Sequence, residues 1–217
     1  MDLATLVAEA RRCGGVVEFL PQVGDFVAMG EPLLALYGGA ANIDDRLMRA
    51  TVAFGPERTL EQDPMFALRI LVDIGLKALS PAINDPTTGV LALDQVHRLL
   101  KATGRRRLRG EQVADADGVT RVIYRTPNWE DYVRVAFTEI RACGANNMQI
   151  ARRLRAMLDN LFASLPKHRH PPLHDEQQRL DQQLEVMYPI AAELALARIP
   201  DSQGLGGSSR FPTPPRR

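Results

Sequence analysis

The string Ile83-Asn84-Asp85-Pro86-Thr87-Thr88 opens a helix, and a helix N-terminus concentrates unpaired N–H groups and partial positive charge. With Asn84, Asp85, Thr87 and Thr88 gathered there, an anion or small polar ligand has donors to meet. The competing reading is that Asp85 caps its own helix and Asn84 supports a tight turn, so that the Asp85 carboxylate takes the place of the anion. Upstream, Arg69, Asp73 and Lys77 recur every fourth residue and share one helical stripe, with Asp73 able to pair with either neighbour. Joined by Arg58 and Asp63 and turned toward Asn84, they form the largest polar set of the chain. That set suits a ligand contact or, in an enzymatic reading, a hydrolase using Asp73, Asn84 and Asp85. A charged stripe on a buried helix also serves packing alone, because buried charges must be paired.

The remaining candidates are weaker. His168, His170 and His174 fall within seven residues, but Pro171 and Pro172 break any helix between the last two, which predicts a solvated loop and no metal site. His97 sits mid-helix among apolar neighbours with no Ser or Cys nucleophile near it in sequence, and reads as a packing residue. Arg105, Arg106, Arg107 and Arg109 mark an exposed loop; against anionic lipid each charge near the surface adds about 1 kcal/mol.

The elements that must position these groups follow from caps and periodicity. Asp63-Pro64 and Asp85-Pro86 are both cap-plus-proline starts, since Pro at the first helical position gives up an N–H that has no partner there. From Met65 to Leu79 every residue but Arg69, Asp73 and Lys77 is apolar, Ala or Gly, which predicts a central buried helix. Ser80-Pro81 stops it, and a second helix runs to about Lys101 with Val90, Leu93, Val96 and Leu100 inward. Asp117-Gly118 between β-favouring residues predicts a hairpin over about 112–126. Asn128 caps a helix carrying Trp129, Tyr132, Val133, Ala136, Phe137 and Ile140. Another starts at Asn146 or Asn147, with Ile150, Leu154, Met157, Leu158, Leu161 and Phe162 inward and Arg152, Arg153 and Arg155 on its outer face. A last helix covers about Asp175–Arg198, kinked at Pro189. At the N-terminus, a short helix over 2–12 precedes strands between Val16 and Tyr37, and a helix covers about 44–54.

The chain has 217 residues, enough for one ordinary domain and a small appendage. A formal charge of +1 gives no general attraction to nucleic acid. Cys13 and Cys143 suggest neither a disulfide framework nor a zinc cage, which fits a reducing compartment. No run approaches the 18 or more apolar residues of a membrane span and no signal peptide is evident, so the expected location is cytoplasmic.

Two stretches resemble a known family. Glu57-Arg58-Thr59, Gln62-Asp63-Pro64, Leu68-Arg69 and the run Leu79-Ser80-Pro81-Ala82-Ile83-Asn84-Asp85-Pro86-Thr87-Thr88 are similar to the signature of the bacterial predicted membrane proteins called domain of unknown function 2254. The later run from Tyr124 through Trp129-Glu130-Asp131-Tyr132, Phe137, Ile140 and Arg141 resembles the matching part of that family, and the likeness covers about residues 16–165. It implies membrane-spanning helices ahead of this region in the family and, for a chain missing them, a place on the cytoplasmic side of the membrane; it implies no activity and no catalytic residues. Pro21–Leu33, with Gly24-Asp25-Phe26-Val27 and Gly30, is similar to half of a biotinyl or lipoyl carrier barrel. No Lys precedes Lys77, so no covalent cofactor is expected, and the element reads as a β adaptor.

The expected fold is α+β, mostly α: residues 1–40 a short helix plus the half-barrel-like β element, 41–200 a helical domain with the hairpin inserted, and 201–217 a disordered tail rich in Gly, Ser and Pro. The expected role is a non-enzymatic assembly or ligand-sensing module, with hydrolase as the alternative. Expected partners are further copies of the chain or a membrane, with no nucleic acid, cofactor or metal.

Overall fold

The computed structural model describes residues 1–55, 63–108 and 110–207, and Arg58 and Arg109 lie outside these. The chain is α+β and mostly α, with eight α-helices and a four-stranded mixed sheet among the described residues. It divides into two compact units, Met1–Pro64 with Arg109–Pro127, and Met65–Leu108 with Asn128–Arg217.

The first unit holds α1 (Leu3–Cys13), β1 (Gly15–Phe19), β2 (Leu34–Gly38), α2 (Asp45–Ala50), β3 (Gln112–Ala114) and β4 (Thr120–Ile123). Gly14, in the left-handed conformation at φ 68°, ends α1 by donating to the carbonyls of Ala10 and Arg11. β1 and β2 pair antiparallel, with Val17 opposite Leu36. The hairpin forms as its Asp-Gly turn predicts, but it joins β1 rather than the helices: β4 lies parallel to β1, Val17 opposite Val122, in the order β2-β1-β4-β3. One face of the sheet then buries Val17, Phe19 and Val122 with Leu6 and Ala10 of α1. The turn is held from inside by Asp115, whose carboxylate accepts from Asp117 N, Val119 N and the Arg121 guanidinium at 2.7 Å. Arg121 also donates to the Gly15 carbonyl, tying the hairpin to the start of β1.

The second unit is a bundle of α3 (Pro64–Ala78), α4 (Pro86–Gly104), α5 (Trp129–Gly144), α6 (Met148–Ser164), α7 (His170–Met187) and α8 (Ala191–Ala197). The inward residues expected for α4, α5 and α6 are buried, apart from a partly buried Phe162. α6 departs from expectation in one respect. Every residue from Ile150 to Leu158 is buried, Arg152, Arg153 and Arg155 included, because neighbours cover this stretch of the helix on all sides. Each arginine meets acceptors. Arg153 bonds Asp94 of α4, Arg155 bonds Asp181 of α7, and Arg152 donates to the carbonyls of Ile199 and Gly206.

Three further expectations change. α7 begins at His170, so Pro171 and Pro172 fall in its first turn, where a proline is tolerated, and His170 and His174 share one helix beside the Phe162 ring. The long last helix is two, α7 and α8, separated at Tyr188-Pro189-Ile190. Composition predicts disorder from Asp201, yet Asp201 is buried, accepts from Gln203 N and Gly206 N, and donates its own N–H to the Arg152 carbonyl.

A buried guanidinium without its carboxylate is expensive. Asp94→Ala is therefore expected to cost about 3 kcal/mol in urea unfolding. Glu185→Ala, which loses an exposed partner of Arg198, should stay within about 0.5 kcal/mol.

Candidate functional site

The turn between α3 and α4 is built from local bonds. Ser80 closes α3 as its hydroxyl donates to the Lys77 carbonyl, and the Ile83 and Asn84 N–H groups donate to the Ser80 carbonyl. Asn84 has φ 47°, the left-handed region that Asn tolerates better than most residues, and is the single non-glycine there among the described residues. That conformation lets Asp85 N return to the Ala78 carbonyl at 2.8 Å and start α4 at once. The Asp85 carboxylate accepts from the Thr88 hydroxyl at 2.6 Å and the Thr88 N–H at 3.1 Å. These two bonds, the hydroxyl first, hold its pKa below the ordinary aspartate value. Asp85 and Thr88 are thus spent on the cap, and the carboxylate stands where an anion would bind.

Beneath the turn the packing is solid. Leu79 plugs the space between α4 and α5, where both backbones come close: a Cβ on Gly89 would meet Leu79 Cδ2 at 2.9 Å, and one on Gly144 would meet Leu79 Cδ1 at 3.0 Å and Ile150 Cγ2 at 2.6 Å. The stripe of α3 points elsewhere. Arg69 bonds Asp73 and also Glu139 of α5, while Asp73 and Lys77 are exposed rather than buried. The two carboxylates raise the Arg69 pKa, Glu139 more than Asp73, and Arg69 in turn lowers that of Glu139. Glu139 was not legible as a partner, being seventy residues away in sequence. Asn84 and Thr87 are exposed, and Asp63 is buried just ahead of Pro64. Arg105, Arg106 and Arg107 are exposed after α4, with the Arg106 carbonyl accepting from Arg169.

Beside these polar groups lies apolar surface. Ile70 and Ile74 on α3, Ile83 in the turn and Leu91 on α4 are 37%, 47%, 49% and 58% exposed. An open cleft does occur on the connection from β1 to β2, lined by Pro21, Asp25, Phe26, Val27, Glu31 and Pro32, with no residue of the turn. Among the described residues no three His, Cys, Asp or Glu side chains are grouped to hold a metal.

The family model for a predicted membrane protein, DUF2254, matches residues 1–160. The chain belongs to the DUF2254 family. An uncharacterised protein of Mycobacterium bovis and one of Mycobacterium tuberculosis are each 32% identical to it over 164 residues. That alignment takes in 72% of this chain and 31% of each relative, so the chain spans about a third of the length of these curated relatives. No solved structure matches it. Although DUF2254 proteins are predicted membrane proteins, no helix among the described residues is long and apolar enough to cross a membrane.

A second polar cluster, which the sequence reading did not assemble, joins α4 to α6. Arg153 donates to His97 Nδ1 at 3.2 Å, so the ring proton sits on Nε2 and is given to Asn160 Oδ1 at 3.0 Å; Lys101 donates to the same oxygen. Burial first, then Arg153, pushes the His97 pKa below 6.5. The unfolded chain therefore takes up a proton that the folded chain refuses, and this contribution to stability is complete above about pH 6.5 and lost as pH falls toward the depressed value. Melting curves between roughly pH 8 and 5 should show this decline in the wild type and a flatter profile in His97→Gln; identical profiles would contradict the assignment.

Proposed function

We propose that this chain is a non-enzymatic assembly module of its family, with the α3–turn–α4 hairpin as its contact surface. One observation carries the reading: the Asp85 carboxylate and Thr88 at the turn, and Arg69 upstream, are engaged in local bonds, while the hairpin leaves four aliphatic side chains exposed. Asp85 and Thr88 complete a cap, Arg69 is shared between two carboxylates, and Leu79 fills the space in which a substrate would need to sit. A hydrolase needs the opposite, namely unsatisfied polar groups converging on a cavity with a carboxylate tuned toward neutral pH. Asp85 is shifted the other way. The four exposed aliphatic side chains along the hairpin support a contact role instead.

Thermal melts test this reading. With phosphates, nucleotides, sugars and small carboxylates at saturating concentration, no compound should raise Tm by more than about 2 °C in a way that Asn84→Ala or Thr87→Ala abolishes. A shift that disappears in those variants would replace the assembly role with ligand binding at the turn.

A further inference from the structure

α3 is apolar nearly all round, as helices buried on every side are, yet in the single chain only Leu68, Val72, Gly75 and Ala78 are fully buried. Its opposite side carries Ile70, Asp73, Ile74 and Lys77 at positions i, i+3, i+4 and i+7, and all four are exposed. Among the described residues this stripe, two isoleucines flanked by an acid and a base, is left exposed.

We infer that the occupant of this stripe is a second copy of the same stripe, in a two-fold symmetric dimer of antiparallel α3 helices. The inference rests on the assembly reading and adds the partner and the register. The charges choose the partner. A two-fold axis at the level of Gly75 sets Ile74 beside Ile74 of the second copy, and it places Asp73 opposite Lys77 of the second copy and Lys77 opposite its Asp73. One pair of residues thus makes two ion pairs, as a self-complementary interface requires. Arg69 leaves the arrangement free to form: it also holds Glu139, and the exposed Asp73 carboxylate has an oxygen to spare.

Sedimentation velocity on the full chain over a concentration series tests the proposal, with far-UV circular dichroism confirming that each variant is folded. The wild type should pass from monomer to dimer, and Ile74→Glu should remain monomeric. Asp73→Lys alone and Lys77→Glu alone each set like charges opposite one another twice, and each should weaken the dimer at least tenfold. Mixed in equal amounts, these two variants set opposite charges across the axis at both pairs and should recover the dimer as a heterodimer. A wild type that stays monomeric at every concentration overturns the proposal, as does a dimer indifferent to Ile74→Glu. Loss of the dimer in Ile74→Glu without recovery in the mixture overturns the antiparallel register while leaving the assembly role standing, whereas a ligand acting through Asn84 or Thr87 overturns that role.

Discussion

Three arginines inside one helix constrain the whole bundle. A guanidinium removed from water must find charge or carbonyl partners in fixed directions, since leaving it unmatched costs several kcal/mol. On α6 the three directions differ. Arg153 requires Asp94 and His97, which fixes α4; Arg155 requires Asp181, which fixes α7; Arg152 requires the carbonyls of Ile199 and Gly206, which fixes the segment after α8. Apolar packing alone tolerates sliding between helices, but these bonds do not. The turn between α3 and α4 depends on this arrangement, because α4 begins there and Leu79 reaches its seat against Gly89, Gly144 and Ile150 only when α4, α5 and α6 are in place.

With α6 surrounded, the bundle is closed without the outer side of α3. That helix contributes Leu68, Val72 and Gly75 to the interior and holds α5 through Arg69 and Glu139, while among the described residues its other side, with Ile70, Asp73, Ile74 and Lys77, stays exposed. That side combines two exposed isoleucines with exposed Asp73 and Lys77.

Much of the helical unit could be read from local signals. Asp85-Pro86 and Asn128 began helices where expected, and the inward residues of α5 followed the helical period one by one. Local signals failed where tertiary context decided. A period-based reading puts Arg152, Arg153 and Arg155 outside, since a charged residue is buried only when distant partners exist, and Asp94, Asp181 and the carbonyl of Gly206 are 26 to 59 residues away. The same holds for the parallel pairing of β1 with β4, which joins segments a hundred residues apart. At the candidate site, the Asp85 cap was legible because it is local. The stripe of α3 was read as buried from its apolar neighbours, but burial depends on how many other elements cover a helix, and here one side remains open.

Hydrogen–deuterium exchange at low and high protein concentration tests most directly the claim that the hairpin is a contact surface rather than a chemical site. Raising the concentration should slow exchange in peptides covering Ile70–Lys77 and Ile83–Leu91 and leave the rest of the helical unit unchanged. Unaltered exchange in those peptides, with new protection concentrated on another surface, would contradict it.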